Sequence, residues 1–539
     1  MFHILFTSIL ISVVFFGYGK LFEKLFGKLF EGIAATMITG ILSLTVLWSC
    51  LAFFAPLNDK VEILSILLGL ASLFYFNSHR QLTKFLRQHL TLLIPSMLLI
   101  AFVGAFYPYI LDHFGYYVPS IQWLNRFGLT QGLANFELNL AQMSPWHILQ
   151  AGLSHWADPY LRLNPLLLMI YITYALEKKR WIHFIFVPVL LLFAQSPSPD
   201  LPVIVFALIV LDETLHSTKP QNLLPLAILA FTIKPTILWL PLFTFTAAIY
   251  DRSLTKKALA GSFFLFSLFV FKNLWLFAYP IFPVQIGGLG LDWTPDKAIL
   301  HSSSVIAAEK TFDMQYSYDE IKQFTTWEFL YHWLTLKGLK AFFNTGLIVT
   351  IALLPLALKP WKNRLFLFLY LTLVLKAVLI LLFSAQYRFF IDVFFVAAFV
   401  LFYAKISKAQ ALTSAGIATF VLIVNLAFPQ ILKQALPSFH LGKYMQGFEW
   451  RQFLTPSHFQ LNQYETHQIG NLKFNVVKHY PLCFDTPQPA ITPYLLHQYH
   501  HLGIFPQCSD SRIEQGLVTK KLTPEQKKQL EAILKSYSH

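Results

Sequence analysis

Apolar runs that approach or exceed the roughly 17 residues needed to cross a bilayer recur along the whole chain. They lie at about 2–18, 32–56, 61–76, 90–110, 161–176, 258–278, 341–358, 365–385, 389–404 and 411–428. A water-soluble core cannot bury so many helices that are apolar on every face. The composition agrees: of 539 residues 56% are hydrophobic and only 13% charged, whereas soluble domains carry roughly a quarter charged residues. Between 181 and 250 the runs are shorter and broken by proline, which fits half-spanning helices near 181–195, 201–212, 222–233 and 235–250 that line a cavity. The expected fold is an all-α polytopic membrane protein of about 13–14 transmembrane helices, followed by a small C-terminal α+β domain.

The formal net charge of +14 does not point to nucleic acid, because the cations punctuate the ends of apolar runs. Lys20, Lys24 and Lys28, then Arg80, Lys84 and Arg87, Lys178 to Arg180, Lys219, Arg252, Lys256 and Lys257, Lys359 to Arg364, and Lys405 and Lys408 all share one face if about fourteen segments alternate. The positive-inside rule makes that face cytoplasmic. The opposite face then holds 107–160, Ser196 to Asp200, the surroundings of Lys234, 279–340, the Tyr387-Arg388 corner and everything after Pro429. The first run lacks a basic leader and a small-residue cleavage site, so it is expected to stay as a span. Segment 19–30, with Leu-Phe every four residues and Lys and Glu between, is expected to be an interfacial amphipathic helix. Three units follow: N-terminal transmembrane helices over 1–89, a transmembrane core over 90–429 with large outer loops at 107–160 and 279–340, and a C-terminal domain over 430–539.

Three cysteines occur, Cys50 in an apolar run and Cys483 and Cys508 in the polar tail, without CxxC or zinc spacing. Cys483 and Cys508 are a disulfide candidate if the tail faces an oxidising compartment. The absence of a Walker motif, a dinucleotide fingerprint, HExxH or a nucleophile elbow removes support for ATPase, redox, zinc-protease and α/β-hydrolase readings.

The chemistry-bearing residues gather on the outer face. Asp112 follows an exiting span among Tyr107, Tyr109, Tyr116 and Tyr117, where partial desolvation favours a usable base; the alternative is a helix cap. Further on stand SPSPD ending at Asp200, FTIKPT with Lys234, FKNLWLFAYPIFP with Lys272 and Asn273, LDWTPDKA with Asp292 and Trp293, and QYRFFID with Arg388 and Asp392. A cation in a span costs roughly 2.5 to 3.5 kcal/mol, and three cations at one face favour an anionic ligand. Snorkelling to the interface is the alternative for each, with Asp392 a local partner for Arg388. Trp123, Trp146, Trp275 and Trp293 offer faces for sugar stacking or interfacial anchors.

The combination of DHFGYYVPSIQWL with GLANF, SPSPD, FTIKPT, KNLWLFAYPIFP, LDWTPDKA and the RFF corner resembles a family of uncharacterised bacterial multi-span membrane proteins. That family is similar in turn to the GT-C superfamily of lipid-phosphate-sugar-dependent glycosyltransferases, such as the protein O-mannosyltransferases. The resemblance implies a GT-C-like fold in the bacterial inner membrane with its site and C-terminal domain in the periplasm. It makes Asp112 the match to the first-loop catalytic aspartate, with His113, Tyr116, Asp200, Lys234, Lys272, Asn273, Asp292, Trp293 and Arg388 around a polyprenyl-phosphate sugar donor. His113 stands where many relatives place a second acid, so no metal ligand set is implied and a divalent metal stays an open cofactor. The expected function is inverting sugar transfer to a glycan, lipid or protein acceptor. A flippase of lipid-linked saccharide and a non-catalytic envelope-assembly subunit are the alternatives.

Overall fold

A computed structural model describes residues 1–76, 79–216, 218–359, 363–403, 405–435, 446–478 and 482–537. The chain is mostly helical. Among the described residues seven helices are long and apolar enough to cross a membrane: Phe2–Phe26, Ile33–Leu51, Arg80–Gly104, Lys256–Phe277, Leu339–Leu358, Arg364–Phe383 and Lys408–Ala427. Four apolar stretches of 10–17 residues accompany them, Trp181–Phe193, Pro220–Ile233, Pro235–Tyr250 and Ile391–Phe402. These seven candidate spans suggest a multi-pass membrane protein. The count is below the thirteen or fourteen expected because several apolar runs, such as Asp59–Tyr75 and Leu163–Lys178, fold into helices of only 17 and 16 residues.

The bundle has two chemically distinct ends. At one end, Glu177 accepts hydrogen bonds from the Ile33 and Ala34 amides at 2.7 and 3.3 Å, Lys178 pairs with Glu213 at 2.8 Å, and Lys257 reaches the Leu25 carbonyl at 3.3 Å. The cationic loops therefore do share one end. There Asp212 is enclosed by Tyr174, His183 and His216 at 2.6, 3.1 and 2.8 Å, which ties three segments together. Segment 19–30 does not form a helix of its own. Residues 19–26 continue Phe2–Phe26, and the helix stops at Gly27, whose φ of +88° favours glycine.

Small residues let the first helices touch backbone to backbone. A Cβ on Gly17 would lie 2.0 Å from the Gly69 carbonyl oxygen, and one on Gly40 would lie 1.8 Å from that of Phe15. Such close approach replaces the hydrophobic drive that helices lack when their solvent is lipid.

At the other end sit the long loop over 107–160 and the C-terminal region. Glu62, fully buried, accepts from the amides of His155, Trp156 and Ala157 at 2.8, 3.1 and 2.6 Å, so the loop over 107–160 is held by a carboxylate paired to backbone rather than to a cation. The C-terminal region contains β1 (Tyr464–Ile469) and β2 (Leu472–Val477), an antiparallel hairpin, with β3 (Ala490–Ile491) parallel to β2. A second hairpin pairs β4 (Ile504–Cys508) with β5 (Leu517–Lys521). The helix Pro493–Leu502 and the terminal helix Pro524–Lys535, which begins with a Thr523–Gln526 capping box, complete it. It docks on the first outer loop: Leu517 donates to the Gln131 carbonyl at 2.8 Å, Thr519 to the Asn135 side chain at 2.7 Å and Tyr499 to the Phe136 carbonyl at 2.5 Å.

The expected disulfide is not formed. Cys483 is a buried free thiol in a small cluster with Phe114, Val477, Phe484 and Ala490. Cys508 is also free, and it ends β4 in the main core with its amide bonded to Asn471 Oδ1 at 2.9 Å. Two separate apolar clusters hold the two thiols apart.

Candidate functional site

Asp112 stands at the mouth of one turn of π-helix, His113–Tyr117, that leads directly into the helix Val118–Phe127. Its carboxylate makes no capping bond to that turn. Instead it accepts from Arg388 Nη1 at 2.5 Å, with the side chains 27% and 39% exposed respectively. Single-turn π-bulges of this kind are frequent at functional positions. Behind it, Tyr116 and Tyr117 rings meet edge to face at 4.6 Å, and Tyr117 lies 4.9 Å from His147. Burial pushes both phenols upward, and the neighbouring Asp112 carboxylate adds to the effect, so they stay neutral donors.

Two more ion pairs stand beside this one. Lys234, released from helical geometry at the end of Pro220–Ile233 by the proline that follows it, pairs with Asp200, the first residue of Asp200–His216. The Lys234 ammonium and the Arg388 guanidinium both lie over the Phe389 ring, at 5.4 and 5.3 Å. Deeper in, Lys376 pairs with Asp392, which also accepts from Trp239 Nε1 at 2.6 Å. Exposure falls from the first pair through the second to the third, whose cation is only 2% exposed. Accessible chemistry therefore belongs to Asp112 and Arg388, and the buried pair fixes the helices that carry them. Arg388 Nε is buried without an acceptor among the described residues. Burial works against the Arg388 charge, yet Asp112 together with Tyr116, Tyr117 and Asp200 outweighs it and holds the guanidinium above its ordinary value.

The Tyr387-Arg388 corner is bordered by a fourth pair, Asp313 with Lys340. Asp313 and Met314 both have φ of +58°, a backbone strain of the kind that collects at ligand-binding loops.

Of the residues picked from sequence, the structure brings together Asp112, His113, Tyr116, Asp200, Lys234 and Arg388. His113 bonds through Nδ1 to Ser196 Oγ at 3.1 Å, and burial pushes its imidazole well below the ordinary value. It stays neutral and supplies no charge. Lys272 is elsewhere: it is buried and donates to the Gln142 and Met143 carbonyls at 3.0 and 3.1 Å, so its ammonium closes a loop and does not meet the other two cations. Asn273 donates to the Pro280 carbonyl at 3.2 Å, Trp293 Nε1 to the Leu274 carbonyl at 2.9 Å, and Asp292 is exposed with no ion pair. Trp123 and Trp146 are fully buried with their indole N–H groups committed to Thr130 and Asn164, which rules out sugar stacking on them. Arg388 takes Asp112 as partner in place of its neighbour Asp392. Sequence reasoning missed Lys376, Trp239, Asp313 and Lys340. The signal for Lys376 was present, since an ionisable residue inside an apolar run requires a partner. Among the described residues no group of three or more His, Cys, Asp or Glu stands together as a metal cage.

The fold and the ion pairs define a class: a mostly helical, candidate multi-pass membrane protein with an ion-pair cluster at the end opposite its cationic loops. The chain belongs to the family described as a domain of unknown function, DUF8201, whose model matches residues 1–395. All three ion pairs of the cluster fall within that match. No curated protein and no solved structure matches the chain.

Proposed function

We propose that the protein is an inverting glycosyltransferase of GT-C type that moves a sugar from a polyprenyl-phosphate carrier to an acceptor hydroxyl, at the periplasmic face of a bacterial inner membrane. The observation that carries this reading is the accessible Asp112–Arg388 pair with Lys234 beside it. A phosphate monoester or diester bound between the two cations draws the guanidinium from Asp112, because charge-assisted bonds to phosphate are strong and bidentate. The released carboxylate takes the acceptor proton. The acceptor oxygen then bonds to the anomeric carbon as the bond from that carbon to the phosphate oxygen breaks, and the polyprenyl phosphate leaves with the electron pair. Its charge is met by Arg388 and Lys234. Donor binding thereby frees the base, whose lone pairs the guanidinium occupies in the absence of donor.

A flippase reading draws on the ionisable groups at other depths, Lys376 with Asp392 and the Asp212 cluster. Those groups are buried and mutually bonded, which suits helix fastening better than a path for a polar cargo. The separating experiment is transfer of labelled sugar from a short-chain polyprenyl phosphate by purified protein. A flippase would carry lipid across reconstituted vesicles and leave the glycosidic bond intact.

A further inference from the structure

The pair of Asp313 with Lys340 at the Tyr387-Arg388 corner has no part in the transfer chemistry described above. The Lys340 ammonium lies over the Tyr387 ring at 5.7 Å. Lys234 and Arg388 lie over the ring of Phe389, which closes the same 3-10 turn, Tyr387–Phe389. Three cations therefore gather at one turn, and each is held by a different aspartate, Asp112, Asp200 or Asp313. The pairs share a neighbourhood. Burial pushes the Tyr387 phenol up, Arg388 opposes the rise, and the carboxylates of Asp200, Asp313 and Asp112 all add to it.

Two observations distinguish the Asp313–Lys340 pair from a loop fastening. The same two segments are already tied by reciprocal bonds, from Gln315 Nε2 to the Lys337 carbonyl at 3.1 Å and from the Lys337 amide to Gln315 Oε1 at 3.0 Å. The pair is also open, with its lysine and aspartate side chains 34% and 35% exposed, against 14% for both Lys234 and Asp200. An ion pair so exposed contributes little to stability, and its carboxylate exchanges readily with an incoming anion. The helix that carries Lys340, Leu339–Leu358, starts without a side-chain cap, so its partial positive end adds to the ammonium. In the proposed reaction the donor phosphate occupies Arg388 and Lys234, which leaves Lys340 for another anion. We propose that the site takes a second phosphate group at Lys340, which displaces Asp313. This inference rests on the transferase reading. Two sources supply such a group: the second phosphate of a diphosphate-linked donor, or a phosphate carried by the acceptor.

The test is native mass spectrometry of the detergent-purified chain titrated with farnesyl phosphate and with farnesyl diphosphate, then with glycerol 1-phosphate in saturating farnesyl phosphate. Lys340→Gln removes the charge and Lys340→Arg keeps it. Diphosphate bound about tenfold or more tighter than monophosphate, the size of one charge-assisted contact, with the gap lost in Lys340→Gln and kept in Lys340→Arg, supports the site and puts the second phosphate on the donor. Glycerol 1-phosphate binding that is lost in Lys340→Gln and kept in Lys340→Arg, without such a gap, supports the site and puts that phosphate on the acceptor. Neither result, or a gap that survives Lys340→Gln, overturns it. Arg388→Ala tells the two readings apart. If that change weakens farnesyl phosphate binding while nothing depends on Lys340, the transferase reading stands and this inference fails; if farnesyl phosphate binding is indifferent to Arg388→Ala, both fail.

Discussion

At the scale of single residues the account turns on Asp112. Replacement by Asn keeps its size and lets Arg388 keep a hydrogen-bond acceptor, so the fold should persist while sugar transfer falls by about 10² to 10⁴, the usual worth of a positioned base. A wild-type rate in Asp112→Asn would move the role to Asp200. A second residue speaks to pH. Burial pushes the Glu137 carboxyl up from the ordinary 4.5 to about 7, beside Cys483 and Tyr499 of the C-terminal region. A carboxyl whose folded value is raised favours the folded state at low pH; its contribution is full below about 4.5 and is lost as pH rises through about 7. Docking of the C-terminal region should therefore loosen across that window, seen as faster limited proteolysis near neutral pH, and Glu137→Gln should flatten the dependence. Asp112 was legible in the sequence as a carboxylate among tyrosines just beyond an apolar run, although helix capping was an equal use for it there, and the structure shows no capping bond from its side chain. Its partner was not, because Arg388 lies 276 positions away while the nearer Asp392 offered a local pairing.

At the scale of elements, the buried Lys376–Asp392 pair joins Arg364–Phe383 to Ile391–Phe402. Removing one partner leaves an uncompensated charge in an apolar setting, so Asp392→Ala should destabilise by about 3 to 5 kcal/mol. The double change Lys376→Leu with Asp392→Leu should recover most of it. Equal thermal stability of the single and double variants would show that the pair is not what fastens these helices. The glycine contacts give a second check: Gly17→Ala places a methyl on the Gly69 carbonyl and should lower the melting temperature, whereas Ala at Gly261, with nothing within 4 Å, should not. The helix pattern was largely readable. The Pro-broken runs at 201–212, 222–233 and 235–250 emerge as Asp200–His216, Pro220–Ile233 and Pro235–Tyr250, since apolar length and proline are local signals. Lys376 escaped notice because one charge barely lowers the mean hydropathy of a 20-residue run.

At the scale of the whole molecule, the segments that carry Lys28, Lys178 and Lys257 meet at one end of the bundle, a grouping readable from the spacing of Lys and Arg. The cluster itself is assembled from helix ends scattered between 112 and 392, a convergence that no local pattern encodes. A reporter active only in the cytoplasm should be silent when fused to the C-terminus and active when inserted beside Lys257. The most direct test of the central claim is mass spectrometry of lipids that co-purify with wild-type protein and with Arg388→Ala. The account predicts a polyprenyl-phosphate-linked sugar on the wild type, depleted at least tenfold in the folded variant as one charge-assisted phosphate contact is lost. Wild-type protein carrying no polyprenyl phosphate species, or an Arg388→Ala variant that retains one undiminished, would contradict it.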